Sequence, residues 1–512
     1  MAVQLAKDPL STEHLQADLK GRSVRAVVVT LASQGSLFVI QSISTIALAR
    51  LLTPTDFGLV AMVTSFSDLA TPFADLGLSQ ATIQRKDISH DQISALFWIN
   101  VLIGLGLTLV MASLGPVLAW LYGEPRLKAI AALVSLVFLI SGVRAQPEAL
   151  LRRQMRFSAL AVRNIVSLGF AVSVAIAIAY RGAEYWAVVT VPLTAQFMQM
   201  ALSWVLVRWR PGWPSRTAGV GSMVAFGGNL AASFLTFGVH RNIDNVLVGW
   251  YWGAGPLGLY SRAYSLLMLP LRQLNAPIAG VAIPAFSRIQ GDPERFARYY
   301  LRAISLVVWV GAPLFGILFV GAEPVVRLTL GRQWQEAAPV FRILAISGLG
   351  QLVLQSTVWL FVSRGKTDRL LKMLLAISPA VIGSFVIGLP FGIKGVALCY
   401  SLVLLAILPW VLKYAFRDTN VSLKRLGRVI VYPISICLIS VSLAELLLDV
   451  TSLDREIPRL VAILMCFAVV YSISTLVPRI RTEVSGFRDL IREMRPASQP
   501  VTPLQHNPIV SE

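Results

Sequence analysis

A few ionisable side chains stand inside long apolar runs, and their types and spacing suit the holding of charge better than the making of bonds. Asp68 and Asp75 are seven residues apart in one such run, with Pro72 between them. On a continuous helix that spacing is about two turns and puts both carboxylates on one face. Proline has no N–H for the Asp68 carbonyl, and a carboxylate beside a freed carbonyl makes a proton or sodium site. The same pair also reads as two structural carboxylates, neutralised by protonation or by a neighbouring arginine. In HRNIDN (240–245), His240 and Arg241 lie at i,i+4 and i,i+3 from Asp244, so both reach one carboxylate. That is either a polar turn satisfied within itself or part of a charged path with Asp244 as a coupling acid. Arg144 precedes Glu148 by one turn, whereas Arg272 has no acidic residue within a turn. Arginine stays charged and presents a planar fork of donors that fits phosphate oxygens. Arg144, Arg241, Arg262 and Arg272, coming from several helices, are what a pocket for an anionic, diphosphate-bearing ligand requires; Arg262 alternatively snorkels to the interface. The basic clusters LLRRQMRF (150–157) and LKRLGR (423–428) read as topology signals or as headgroup contacts.

No catalytic or metal constellation accompanies these groups. The four histidines, His14, His90, His240 and His506, are scattered, and Cys399, Cys437 and Cys466 each lie in an apolar run. No cofactor is expected.

The elements that position the charges follow from composition. Of 512 residues, 56% are hydrophobic and 14% charged, where a soluble domain carries roughly 25% charged residues. With a mean hydropathy of +0.69, the chain reads as an all-α polytopic membrane protein. A net charge of +19 would suggest nucleic acid in a soluble chain. Here the basic residues cluster between apolar runs, which points to anionic lipid headgroups and excludes nucleic acid as a partner. The N-terminus has no leading apolar segment, so no cleaved signal peptide is expected.

Runs of about 20 apolar residues predict fourteen spanning helices, over 24–50, 57–84, 92–122, 127–150, 159–180, 184–207, 220–252, 256–287, 300–322, 338–363, 370–390, 394–416, 427–449 and 459–478. Lys and Arg on alternate sides number 31 on the side of the N-terminus and 10 on the other, which places both termini in the cytoplasm. No outer loop is long enough to form a domain. A 200-residue offset lays 48–66 over 248–266, matching Gly58–Leu59 to Gly258–Leu259, Ser65 to Ser265 and Ile83 to Ile283. Six helices per repeat makes the repeats parallel, giving two six-helix lobes with a cleft between them and two extra helices. The expected organisation is a tail (1–23), a first lobe (24–208, helices 1–6), a second lobe (209–417, helices 7–12), helices 13 and 14 (418–480) and a partly disordered cytoplasmic tail (481–512). Pro270, Pro277 and Pro284, with Gly227–Gly228 and Gly280, predict bends that are either static or part of a rocking cycle.

The stretches LLTPTDFGLVAM (51–62), FADLGLSQATIQRKDIS (73–89), RNIDNVLVGWYWGAGPLGLYSRAYSLLMLPLRQ (241–273) and PAFSRIQGDPERFARYY (284–300) resemble the signature blocks of Wzx-type polysaccharide-biosynthesis flippases. These belong to the multidrug/oligosaccharidyl-lipid/polysaccharide (MOP) exporter superfamily. The likeness spans about residues 24–420. It implies a V-shaped bundle in the bacterial inner membrane that moves undecaprenyl-diphosphate-linked oligosaccharide from the cytoplasmic to the periplasmic leaflet by alternating access, for exopolysaccharide, capsule or lipopolysaccharide. The driving force it implies is membrane potential or counter-ion flow rather than ATP, and the protein is then no enzyme. Cavity arginines bind the diphosphate in such proteins, a role that falls on Arg241, Arg262 and Arg272, with His240 beside them; Arg144 rests on the physical argument alone. Asp68, Asp75 and Asp244 are the candidate ion-coupling residues. The two extra helices resemble those that shape a lipid-tail groove in peptidoglycan-precursor flippases. A polymerase and a chain-length regulator are partners by family logic. Rival readings are a drug/cation antiporter of the same superfamily, a membrane enzyme of polysaccharide assembly and a lipid-II-type flippase.

Overall fold

A computed structural model describes residues 19–75, 77–85, 88–213, 242–451, 453 and 455–477. His240, Arg241, Gly227–Gly228, most of the predicted helix 220–252 and the C-terminal tail lie outside the described residues. Among those described there is no strand. The first lobe runs α1 (Leu19–Leu51), α2 (Pro54–Ala70), α3 (Leu78–Gln84), α4 (His90–Tyr122), α5 (Leu127–Arg153), α6 (Phe157–Tyr180) and α7 (Trp186–Val207). A helical segment, α8 (242–252), leads into α9 (Ala254–Arg288), α10 (Pro293–Val320), the short α11 (Ala322–Thr329), α12 (Ala337–Ser363), α13 (Thr367–Gly388) and α14 (Gly392–Phe416). The extra helices are α15 (Leu423–Thr451) and α16 (Glu456–Ser474). Eleven helical stretches of described residues are long and apolar enough to cross a membrane, and the 50-residue Thr367–Phe416 contains both α13 and α14.

Local chemistry sets the helix starts. Thr53 and Asp56 form a capping box ahead of α2, with the Asp56 carboxylate accepting from the Thr53 N–H at 2.8 Å and from its hydroxyl at 2.6 Å. Ser89 and Gln92 do the same for α4. The predicted helix 57–84 is not continuous. It stops at Ala70, tightens into a 3₁₀ turn over Thr71–Phe73 and restarts as α3 after Gly77, whose φ of 66° is left-handed. Pro72 removes the donor that would carry the helix forward, and Gly77 takes a conformation other residues avoid. In α9, by contrast, Pro270, Pro277 and Pro284 all lie inside a single helix of 35 residues.

In the first lobe, α4 packs on α5, α5 and α6 on α7, and α1 on α6. In the second, α9 and α10 pack on α12, and α12 and α13 on α14. The extra pair docks on the outside of the second lobe. A Cβ on Gly316 of α10 would lie 2.7 Å from the Cys437 sulfur of α15 and 2.8 Å from the Phe467 ring of α16, so the bare glycine lets all three helices close up.

The lobes meet chiefly through α2 and α9. A Cβ on Gly58 would lie 1.7 Å from the Ala254 carbonyl oxygen, and one on Gly258 would lie 1.8 Å from the Pro54 carbonyl oxygen. The two contacts exchange under the 200-residue offset, 54 with 254 and 58 with 258, so the weak sequence repeat corresponds to a local two-fold relation. The segment after α11 reinforces this end. Trp334 Nε1 donates to the Ala49 carbonyl at 2.7 Å, Gln333 donates to the Leu52 carbonyl at 2.8 Å, and Arg50 donates to the Leu328 carbonyl at 2.6 Å.

Candidate functional site

Beneath the Gly58–Gly258 contact lies a cavity of about 570 Å³ between the lobes. Helices of both lobes turn a face to it, with Leu168 of α6 and Val188, Val191 and Pro192 of α7 at the side. From α2 come Phe57, Val60, Ala61, Thr64 and Asp68, and from α1 Gln41, Ser44, Thr45 and Leu48. From α9 come Ser261, Arg262, Ser265, Met268 and Arg272, and α8 adds Asn242 and Asn245. Steps of three and four residues are what one helical face supplies.

The cavity collects three of the sequence-predicted groups: Asp68, Arg262 and Arg272. Arg272 makes no ion pair or hydrogen bond among the described residues. The Arg262 guanidinium lies 4.4 Å from the centroid of the Phe57 ring, a cation–π contact across the lobes. Its Nε is buried without an acceptor. Phe57 also meets the Trp334 ring edge-on at 5.3 Å. A first-lobe ring thus contacts two second-lobe groups at the closed end of the cavity. Ten residues separate Arg262 from Arg272, about 15 Å along the helix axis.

The remaining predicted groups lie elsewhere. Asp75 does not join Asp68, because the break at 71–77 turns it into the cap of α3. One of its carboxylate oxygens accepts from the Ser79 hydroxyl at 2.7 Å and from the Ser79 N–H at 3.2 Å. Asp244 is buried behind the cavity wall. One oxygen accepts from the Tyr260 hydroxyl at 3.1 Å, and the other has no partner among the described residues. Arg144 bonds Gln199 and lies 3.6 Å from Glu148, which also meets Arg152 at 2.7 Å and Arg163 at 3.1 Å. Arg163 is the cation that sequence reasoning missed. Its side chain is only 2% exposed and donates to Ser203 at 2.9 Å as well. It falls two turns inside α6 and within the predicted span 159–180, where it belongs with the other intramembrane cations. Also missed were Gln41, Ser44 and Thr45, whose i, i+3, i+4 polar spacing in an apolar run marks a lumen-facing stripe.

The arginines of LLRRQMRF have structural partners. Arg152 pairs with Glu148, Arg153 donates to the Thr82 carbonyl at the end of α3 at 3.0 Å, and Arg156 donates to the Leu206 carbonyl at 2.8 Å.

Comparison with known proteins agrees with this architecture. The family model for polysaccharide biosynthesis proteins matches residues 47–339. Teichuronic acid biosynthesis protein TuaB of Bacillus subtilis (strain 168) is 26% identical over 70% of this chain and 73% of its own length. Lipopolysaccharide biosynthesis protein WzxC of Escherichia coli (strain K12) is 27% identical, also over 70% and 73%. Succinoglycan biosynthesis transport protein ExoT of Rhizobium meliloti (strain 1021) is 24% identical over 63% and 65%. Among solved structures, lipid II flippase MurJ in an inward closed conformation superposes with a TM-score of 0.69 at 14% identity, covering 88% of this chain and 99% of that one. An inward-facing multidrug resistance MATE family transporter of the MOP superfamily gives 0.59 at 14% identity, covering 77% and 98%. The chain belongs to the family of polysaccharide biosynthesis proteins and has the fold of the MOP superfamily transporters.

Proposed function

We propose that the protein is a flippase that moves undecaprenyl-diphosphate-linked oligosaccharide from the cytoplasmic to the periplasmic leaflet of the bacterial inner membrane. The observation that carries this reading is the guanidinium of Arg272, unpartnered among the described residues, in a cavity that two apposed glycines close at one end. A diphosphate needs fixed cationic donors in a low-dielectric site, and a bilayer admits such a charge only where a pathway requires it. With fourteen spans and both termini cytoplasmic, the closed end faces the periplasm and the cavity opens inward. The headgroup enters from the cytoplasm, Arg272 takes the diphosphate, and the prenyl tail stays in lipid beside α15 and α16.

Rocking the lobes apart at Gly58–Gly258 then frees Phe57 from Arg262 and Trp334. Arg262, about 15 Å further along α9, becomes a second cationic station on the way out. Asp68, in the same cavity, is the group best placed to couple this cycle to an ion; Asp75 and Asp244 contribute less directly, as a cap and a buried partner of Tyr260. Arg144 contributes from the Glu148 cluster. A drug/cation antiporter would be expected to line the cavity with carboxylates, whereas among the described residues two arginines and one aspartate line this one. The protein acts as a transporter rather than an enzyme, upstream of a polymerase and a chain-length regulator.

The test is mass analysis of prenyl-diphosphate-linked sugars and of surface polymer in a deletion strain. Complete repeat units accumulating on lipid, with surface polymer lost, are expected. Truncated or unmodified units would point to an assembly enzyme. Unchanged lipid and polymer with raised sensitivity to toxic cations would point to the antiporter.

A further inference from the structure

A second cavity, of about 830 Å³, opens on the face that carries the inter-lobe contact, between the α11–α12 segment and the start of α16. Among the described residues, the arginines Arg327, Arg332 and Arg455 and one carboxylate, Glu456, line it. Arg327 is already satisfied, 2.6 Å from Glu323 and 2.7 Å from Glu456. Arg332 and Arg455 make no ion pair or hydrogen bond among the described residues. Two like charges facing one concavity repel, and the repulsion is relieved when an anion sits between them. Beside them the wall is apolar: Pro458 and Ile457 line the groove, and Ile457 is 64% exposed on the outer surface of α16. A phosphate carried on a hydrocarbon chain satisfies both walls.

We propose that this groove is a second anion site, for a phosphate or diphosphate group borne on lipid, separate from the inter-lobe cavity. Its position couples it to the state of the lobes. Leu328 and Arg332 line the groove, while the Leu328 carbonyl, Gln333 and Trp334 of the same segment bond to α1. An anion bridging Arg332 and Arg455 ties the gate-bearing segment to α16, so occupancy of the groove and closure of the lobes are linked, each altering the other. The source of the phosphate rests on the flippase reading, whereas the site itself does not.

The experiment is calorimetric titration of inorganic pyrophosphate into the full-length protein in phosphatidylcholine nanodiscs. The starting protein carries Arg272→Gln, which removes one of the two arginines lining the inter-lobe cavity and leaves Arg262. Binding that persists in this variant and weakens at least about tenfold when Arg332→Gln and Arg455→Gln are added is expected, from the loss of charge-assisted bonds. No binding in Arg272→Gln protein, or binding indifferent to the two added changes, overturns the proposal. Arg332→Lys with Arg455→Lys retains the charge and restores part of the affinity if the fold is intact. Competition by a prenyl diphosphate in the disc identifies cargo as the source, and competition by phosphatidylglycerol identifies bulk lipid; both support an anion site. Export that survives Arg272→Gln in cells would remove the cavity assignment and leave the groove standing, so the two failures are distinguishable.

Discussion

Replacing Gly58 by alanine tests the inter-lobe contact with a single methyl group. The added carbon would lie 1.7 Å from the Ala254 carbonyl oxygen, 2.5 Å from its carbon and 2.9 Å from Cα, where separations under 3.0 Å are essentially never seen. The obstructing atoms are backbone, so no rotamer change relieves the clash. The helices must part by 3.0 − 1.7 = 1.3 Å at this point. Overpacking of this kind costs about 1–3 kcal/mol. Because the clash exists only when the lobes are closed here, the cost falls on one state and shifts the equilibrium toward the opened one by roughly 5- to 150-fold. Spin labels on Glu124 and Phe391, in the loops after α4 and α13, report the change by pulsed dipolar spectroscopy. The wild type is expected to show a dominant short distance, and Gly58→Ala a dominant long one. Gly258→Ala should do the same, and the double variant should add little, because both methyls open one contact. Gly106→Ala, with nothing within 4 Å of the new carbon, is the neutral control. A Gly58→Ala distance distribution matching the wild type would refute the reasoning.

Other consequences follow from the same geometry. Phe57→Ala removes the ring shared by Arg262 and Trp334 and should shift the same spin-label distances toward opening; the cation–π part alone is worth about 0.5–2 kcal/mol. Glu148→Gln leaves the buried Arg163 and its neighbours without their carboxylate and should destabilise the first lobe by about 3–5 kcal/mol, read as a lower unfolding midpoint in detergent; Glu148→Gln with Arg163→Gln should recover part of it. Asp75→Asn keeps an acceptor for Ser79 and should leave export near normal, whereas Asp68→Asn should abolish it at unchanged protein level; equal effects would refute the division of the two carboxylates.

Much of this was legible in the residues. The apolar runs and the alternation of basic loops give the helical bundle, and the offset of 200 residues found Gly58 and Gly258 before their contact was known. The failures have physical causes. Reading helix 2 straight through 57–84 weighed hydropathy above local punctuation, though Thr71–Pro72 and a left-handed Gly77 both mark a break. Asp75 therefore moved from a helical face to a cap. Arg163 stands inside the predicted span 159–180, and Glu148 and Ser203, distant in sequence, make its burial tolerable. The arginines of the second groove, unpartnered among the described residues, were invisible for a related reason. Loop cations count only toward topology until tertiary structure shows what surrounds them.

The account's central claim is translocation itself, and reconstitution addresses it most directly. Proteoliposomes carrying the purified protein and a prenyl-diphosphate oligosaccharide from the native strain are sampled with a membrane-impermeant glycosidase over time. The account predicts that wild-type protein makes the inner-leaflet pool accessible, and that Arg272→Gln protein, inserted equally well, leaves it protected. Equal protection with and without wild-type protein, or equal accessibility with the Arg272→Gln variant, would contradict it.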